Sequence, residues 1–189
     1  MIRIAIVGDI GAGKSYIAKQ FGYPVFNADI EVVKLYNKSK KCYNKLKKAL
    51  PDYIASFPIK KNELVRAIFE KPNNLKKISK IVHPEVRNRM NSFIKKNKHK
   101  KFIILDIPLL FENKINKKND IIIFIDAKKK DINKVLKKRN QINSQVLKKF
   151  QLPVEIKKKR ADFIIKNNFK SNFVKKNVKR LMEKIKYYA

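Results

Sequence analysis

Two rhythms of apolar residues divide the chain. Ile2–Val7 is a short apolar run rich in β-branched side chains, Phe102–Asp106 is a second, and Asp120–Asp126 a third. Runs that are apolar at nearly every position, rather than at alternate ones, mark strands buried on both faces of a parallel sheet. Tyr23–Phe26, ending at Asn27-Ala28-Asp29, and Ala161–Ile165 read as two further strands. The intervening segments have helical spacing: Lys14–Phe21, Lys128–Arg139, and residues 171–187, where Phe173, Val174, Val178, Leu181 and Ile185 share one face. Asn140–Arg160 reads as two short helices broken near Pro153. From Ile30 to about Lys100 the pattern is helical, punctuated by Pro51, Pro58 and Pro72, with no strand among them. Short apolar strands separated by helices predict an α/β fold with a five-stranded parallel sheet and helices on both faces. The long helical block reads as an insertion between the second and third strands.

The turn after the first strand carries the clearest chemistry. Gly8-Asp-Ile-Gly-Ala-Gly13-Lys14-Ser15 matches G-x-x-x-x-G-K-[ST] at every fixed position, between a strand and a helix. Glycines let the backbone adopt positive φ and turn its N–H groups around a phosphate. The helix beginning near Lys14 directs its positive end to the same place. Lys14 is thus placed to reach β- and γ-phosphates, and Ser15 to ligate Mg²⁺. The chain has four glycines and three of them lie in this octet, so a composition poor in glycine retains it where backbone geometry demands it.

Other candidates are ambiguous when read singly. Asp29, at the carboxyl end of the second strand, suits a general base for an attacking hydroxyl, but read alone it fits a helix cap better. Asp106, ending the third strand, suits a Mg²⁺-side carboxylate and equally a helix cap or turn residue. His83 lies in the helical block, and His99, between lysines, reads as solvated surface. Two histidines and one cysteine, Cys42, make a zinc site or a disulfide framework untenable, and a serine or cysteine nucleophile lacks an evident base.

Composition changes the picture little. The 189 residues suit one domain with subdomains, and the net charge is +33. Such a field attracts polyanions. Only seven of the 48 basic residues are arginine, however, and the lysines are spread nearly end to end beside abundant Asn and Ile, a set with A/T-rich codons. Compositional drift accounts for that set without a nucleic-acid role, and no nucleic-acid reader motif stands among the lysines. No stretch of roughly 18 uncharged apolar residues occurs, so no transmembrane helix is expected. The first apolar run is too short for a signal peptide. A single cysteine suits a reducing cytoplasm.

Taken together, the loop, Asn27-Ala28-Asp29, His83-Pro84, Pro108-Leu-Leu-Phe-Glu112 and Gln151–Asn167 follow one another in an order that resembles the dephospho-CoA kinase family. The most specific piece, Gln151-Leu-Pro-Val-Glu-Ile-Lys157-Lys-Lys-Arg160-Ala-Asp162-Phe-Ile-Ile-Lys-Asn167, is similar to that family's Q-x-P-x-x-x-K-x-x-x-A-D-[FY]-x-I-x-N. Leu64–Phe69 and Ile81–Pro84 resemble its acceptor-site segments. The resemblance implies a three-layer P-loop NTPase fold with a core (1–29, 101–137, 161–189), a helical acceptor subdomain (30–100) and a lid (138–160). It implies ATP as cosubstrate, Mg²⁺ as cofactor and the ribose 3′-hydroxyl of dephospho-CoA as acceptor, in a monomer or weak homo-oligomer with no membrane or specific nucleic-acid partner.

By the same resemblance Asp29, Lys14 and Arg139 are catalytic. Gly11, Ala12, Gly13, Lys14, Ser15, Tyr16 and Asn167 hold the nucleotide, with Ser15 on the metal, and Arg66 and His83 join Asp29 on the acceptor side. Asn27 departs from the family pattern by replacing the first Asp of D-A-D. Tyr16 replaces a small Thr, Val135 a frequent lid arginine, and Lys166 and Phe169 the Asp and Gly of I-D-N-x-G. The rival readings are another small-molecule kinase, of nucleoside monophosphate or shikimate type, and a nucleic-acid-binding ATPase.

Overall fold

The computed structural model describes residues 1–138 and 151–188. Their elements are β1 (Ile2–Gly8), α1 (Lys14–Gln20), β2 (Val25–Asn27), α2 (Ala28–Lys38), α3 (Lys40–Ala49), α4 (Lys61–Glu70), α5 (Asn74–Lys96), β3 (Phe102–Asp106), β4 (Ile121–Ala127), α6 (Lys129–Lys138), α7 (Val154–Lys159), β5 (Phe163–Asn167) and α8 (Ser171–Tyr188). The five strands form one all-parallel sheet in the order β2-β3-β1-β4-β5. The chain divides into two compact units, Met1–Asn27 with Asn97–Ala189, and Ala28–Lys96.

The sheet unit owes its shape to strands that cannot tolerate water on either side. Ile4, Ile6, Phe102, Ile104, Ile123 and Ile125 face Ile17 and Ala18 of α1 and Val174, Val178 and Ile185 of α8. The alternate residues Ala5, Val7, Ile103, Leu105, Ile122 and Phe124 are buried as well. Each large apolar side chain so buried contributes roughly 1.5–3 kcal/mol. Arg3 is the polar exception in β1. Its guanidinium grips both carboxylate oxygens of Asp120 at 2.8 Å, and that carboxylate also accepts the Lys117 N–H at 2.8 Å, which ties the start of β4 to β1.

β5 runs two residues later than the apolar run Ala161–Ile165 suggests. Asp162 explains the shift. Its Oδ2 accepts the Ile122 N–H at 2.7 Å, so the regular ladder opens at Phe163 opposite Ile123. Paired with β4 alone, this edge strand then tolerates the polar Lys166 and Asn167.

The helical unit holds α2–α5 around its own core, including Leu35, Cys42, Leu46, Ile54, Leu64, Ala67, Ile78 and Val82. The Ser39 Oγ caps α3 by accepting the Cys42 N–H at 3.1 Å. Arg89 of α5 reaches Glu31 of α2 at 2.9 Å, and Lys45 of α3 reaches Glu85 of α5 at 3.2 Å. α5 continues for 23 residues through Pro84, whereas Pro51, Pro58 and Pro72 fall in the connections between helices.

Candidate active site

The carboxyl ends of β1, β2, β3 and β5 position one cluster of side chains. β1 stops at Gly8 because the chain there takes φ 151°, and a Cβ would meet the Ile125 carbonyl oxygen of β4 at 2.9 Å. The loop then closes through the Ala12 N–H donating to the Asp9 carbonyl at 3.2 Å, and the Asp9 Oδ1 accepting from the Ile10 N–H at 2.7 Å. Gly13, in the left-handed region at φ 87°, starts α1 with no side-chain cap and no acidic residue in the first turn. Free of a competing carboxylate, that turn suits an anion.

Lys14 is buried, and its Nζ donates to the Gly8 and Asp9 carbonyls at 3.2 and 2.8 Å, which holds the ammonium against the loop. Ser15 and Tyr16 are exposed. The Ser15 Oγ accepts from Asn27 Nδ2 at 3.3 Å, and Tyr16 Oη donates to the Ser171 Oγ at 2.8 Å, linking α1 to the first residue of α8. The Asn27 amide also donates to Asp106 Oδ2. One amide thus bridges the loop hydroxyl and a carboxylate that is 2% exposed.

Asn167 ends β5 beneath the loop. Its Nδ2 donates to the Ala12 carbonyl at 2.8 Å and its Oδ1 accepts the Phe169 N–H at 2.8 Å. A Cβ on Gly13 would stand 2.5 Å from that Nδ2, so the glycine permits the close approach as well as the turn. Asn167 therefore braces the loop backbone, and Phe169, itself at φ 61°, lies against the same glycine.

Glu112, at the end of the Pro108–Glu112 segment, is engaged by the stretch that precedes β5. Its Oε1 takes the Lys157 ammonium at 2.9 Å and the Leu152 N–H at 2.7 Å, while Lys157 also donates to Gln151 Oε1 at 3.1 Å. Lys157 is 1% exposed, and a cation so buried requires partners of this kind. The most distinctive stretch of the sequence is thereby largely accounted for: Gln151 and Lys157 join Glu112 in one side-chain cluster, Asp162 fastens backbone at the start of β5, and Asn167 does so at its end.

The remaining candidates lie in the helical unit. Asp29 is exposed in the first turn of α2, the second residue after β2 ends. Arg66 donates to the Asp52 carbonyl at 2.8 Å and lies over the Tyr53 ring at 5.6 Å, with Glu70 one turn on. His83 sits on α5, where partial desolvation and the Arg87 charge hold its pKa below the ordinary histidine value. Arg139 lies outside the described residues. The bridge through Asn27 is what sequence reasoning missed. Its signal is register: Asn27 pairs with Asp106 and Asp106 with Ile6, so strand pairing sets the two side chains side by side.

The family model of dephospho-CoA kinase matches residues 2–172. The chain belongs to the dephospho-CoA kinase family. A dephospho-CoA kinase from Wolbachia sp. subsp. Brugia malayi is 33% identical over 96% of this chain and 97% of its own. Among solved structures, one from Thermus thermophilus superposes with a TM-score of 0.75 at 26% identity, covering 99% of this chain and 97% of its own. A dephospho-CoA kinase from Campylobacter jejuni, at 21% identity, shares the fold with a TM-score of 0.67 over 97% of this chain and 96% of its own. Among the described residues of this family member, no helix is long and apolar enough to cross a membrane.

Proposed function

We propose that the protein transfers the γ-phosphoryl group of ATP to the ribose 3′-hydroxyl of dephospho-CoA, yielding coenzyme A and ADP. The observation that carries this is the braced glycine loop, with Lys14 against it and the Ser15–Asn27–Asp106 bridge beside it, in a chain of this family. The amides of residues 11–16 bind the phosphate chain, and Lys14 balances charge on the β- and γ-oxygens. The acceptor hydroxyl attacks in line. Its oxygen bonds to the γ-phosphorus as the bond to the ADP oxygen breaks, and Asp29 takes the hydroxyl proton. Asn167 acts through Ala12 and Phe169, shaping the nucleotide side without leaving its brace. Arg66 and His83 serve the acceptor, and Arg139 the phosphates.

The donor set fits Mg²⁺. Ser15 Oγ and the Asp106 carboxylate are hard oxygens bridged by one amide, and Mg²⁺ commonly takes one or two protein oxygens together with substrate phosphates. No cluster of three or more His, Cys, Asp or Glu forms a separate cage among the described residues. When bound, the ion would screen charge on the transferring phosphoryl group.

A coupled assay offering dephospho-CoA, AMP and shikimate in parallel tests the substrate. ADP release should depend on dephospho-CoA. Faster turnover of AMP or shikimate would assign the site to another small-molecule kinase. ATP hydrolysis stimulated only by DNA or RNA would instead favour a polyanion-dependent ATPase.

A further inference from the structure

We propose that Asn27 is a positioning residue that assembles the Ser15–Asp106 pair before any cation arrives, so that this side of the nucleotide site holds its shape without metal. The inference rests on the nucleotide-site reading above, and its first test does not need catalysis.

Asp106 is the last residue of β3 and is almost fully buried, an environment where a carboxylate requires a donor or a cation. The neighbouring strand supplies the donor. Asn27 stands opposite Asp106 in the β2–β3 ladder, and its Nδ2 donates to Asp106 Oδ2 and to Ser15 Oγ. An amide nitrogen has two protons, so one side chain can serve both acceptors. The bridge fixes the end of β2, the end of β3 and the second residue of α1 relative to one another within the sheet unit.

An aspartate at position 27 would be nearly the same size but reverses the chemistry. It offers only acceptors and sets a second negative charge against the Asp106 carboxylate at hydrogen-bonding range. Two carboxylates so placed repel unless a cation stands between them. Asn27 therefore removes one negative charge from the site and replaces an electrostatic dependence on metal with hydrogen bonds. The same neutral amide lowers the repulsion that a triphosphate meets on approach, so metal-free ATP should bind this protein with a comparatively small penalty.

The test compares wild type, Asn27→Asp and Asn27→Ala at pH 8. In EDTA without nucleotide, Asn27→Asp should melt about 5 °C or more below wild type, and millimolar Mg²⁺ should restore most of that loss while leaving wild type within about 1 °C. The ratio of Kd for ATP in EDTA to Kd for MgATP should be about tenfold larger in Asn27→Asp than in wild type. Asn27→Ala keeps the charge unchanged and removes the bridge. It should fold, and should raise the Mg²⁺ concentration for half-maximal turnover about tenfold, a readout that loss of packing alone would not move. If Asn27→Asp recovers only with Mg²⁺, failing to fold in EDTA, the proposal stands. Equal melting of Asn27→Asp and wild type in EDTA overturns it, as does an unchanged Mg²⁺ half-saturation in Asn27→Ala. Absence of phosphoryl transfer to dephospho-CoA by wild type would overturn the substrate assignment and leave the EDTA melting result to be judged by itself.

Discussion

α1 and α2 each begin at the carboxyl end of a parallel strand, yet their first turns have opposite electrostatics. α1 starts at Gly13 with no side-chain cap and no acidic residue in its first turn. α2 starts directly after β2 and carries Asp29 and Glu31 in its first turn. A bare turn welcomes a phosphate, whereas an acidic one repels it and can receive a proton. In the proposed transfer the bare turn, reached through a glycine loop, holds the anion, and the acidic turn, which follows its strand directly, takes the proton.

Removing the carboxylate from the acidic turn should break this contrast most severely. Asp29→Asn is expected to lower kcat about 10³-fold while leaving the Kd for MgATP within about twofold, measured by single-turnover kinetics and nucleotide titration. Near-wild-type turnover would end the base assignment. Lys14→Ala acts on the other turn, with an expected fall of about 10²–10³-fold in kcat and weaker nucleotide binding. Gly13→Ala tests the backbone itself. A left-handed φ and a Cβ 2.5 Å from Asn167 Nδ2 predict a Tm loss of about 4–8 °C together with weaker ATP binding. An unchanged melting temperature would show that the brace yields easily.

The smallest effect sharpens the role of the second acid in α2. Burial raises the Glu31 pKa, but Lys34 and Arg89 outweigh it and hold the value below the ordinary glutamate range. A depressed carboxylate contributes stability above its unfolded pKa and loses it as pH falls through the folded one. Glu31→Gln should therefore cost a few degrees of Tm at pH 7 and progressively less below about pH 4. A difference from wild type that does not change with pH would assign Glu31 a packing role only.

Much of the sheet was legible because buried parallel strands leave continuous apolar runs, and the loop because its glycines stand in a chain with few others. The strong motif at Gln151–Asn167 pointed to the family, but not to what its residues do. Lys157 reads as one lysine in a basic run, yet it is buried on Glu112, which lies 45 positions earlier. Asn27 read as a lost carboxylate, and its function as a bridge depended on which strand lay beside β2. Boundaries shifted where a side chain intercepted a ladder hydrogen bond, as Asp162 does at Ile122.

By itself the sequence determined the loop, the order of strands and helices along the chain, and the family. These are properties of local conformational freedom and of apolar periodicity, written in neighbouring residues. Tertiary structure alone decided that Asn27, Asp106 and Ser15 share one hydrogen-bonded bridge and that Asn167 holds the loop from 155 residues away. Strand order and register choose those neighbours, and a linear sequence does not state which strands lie side by side.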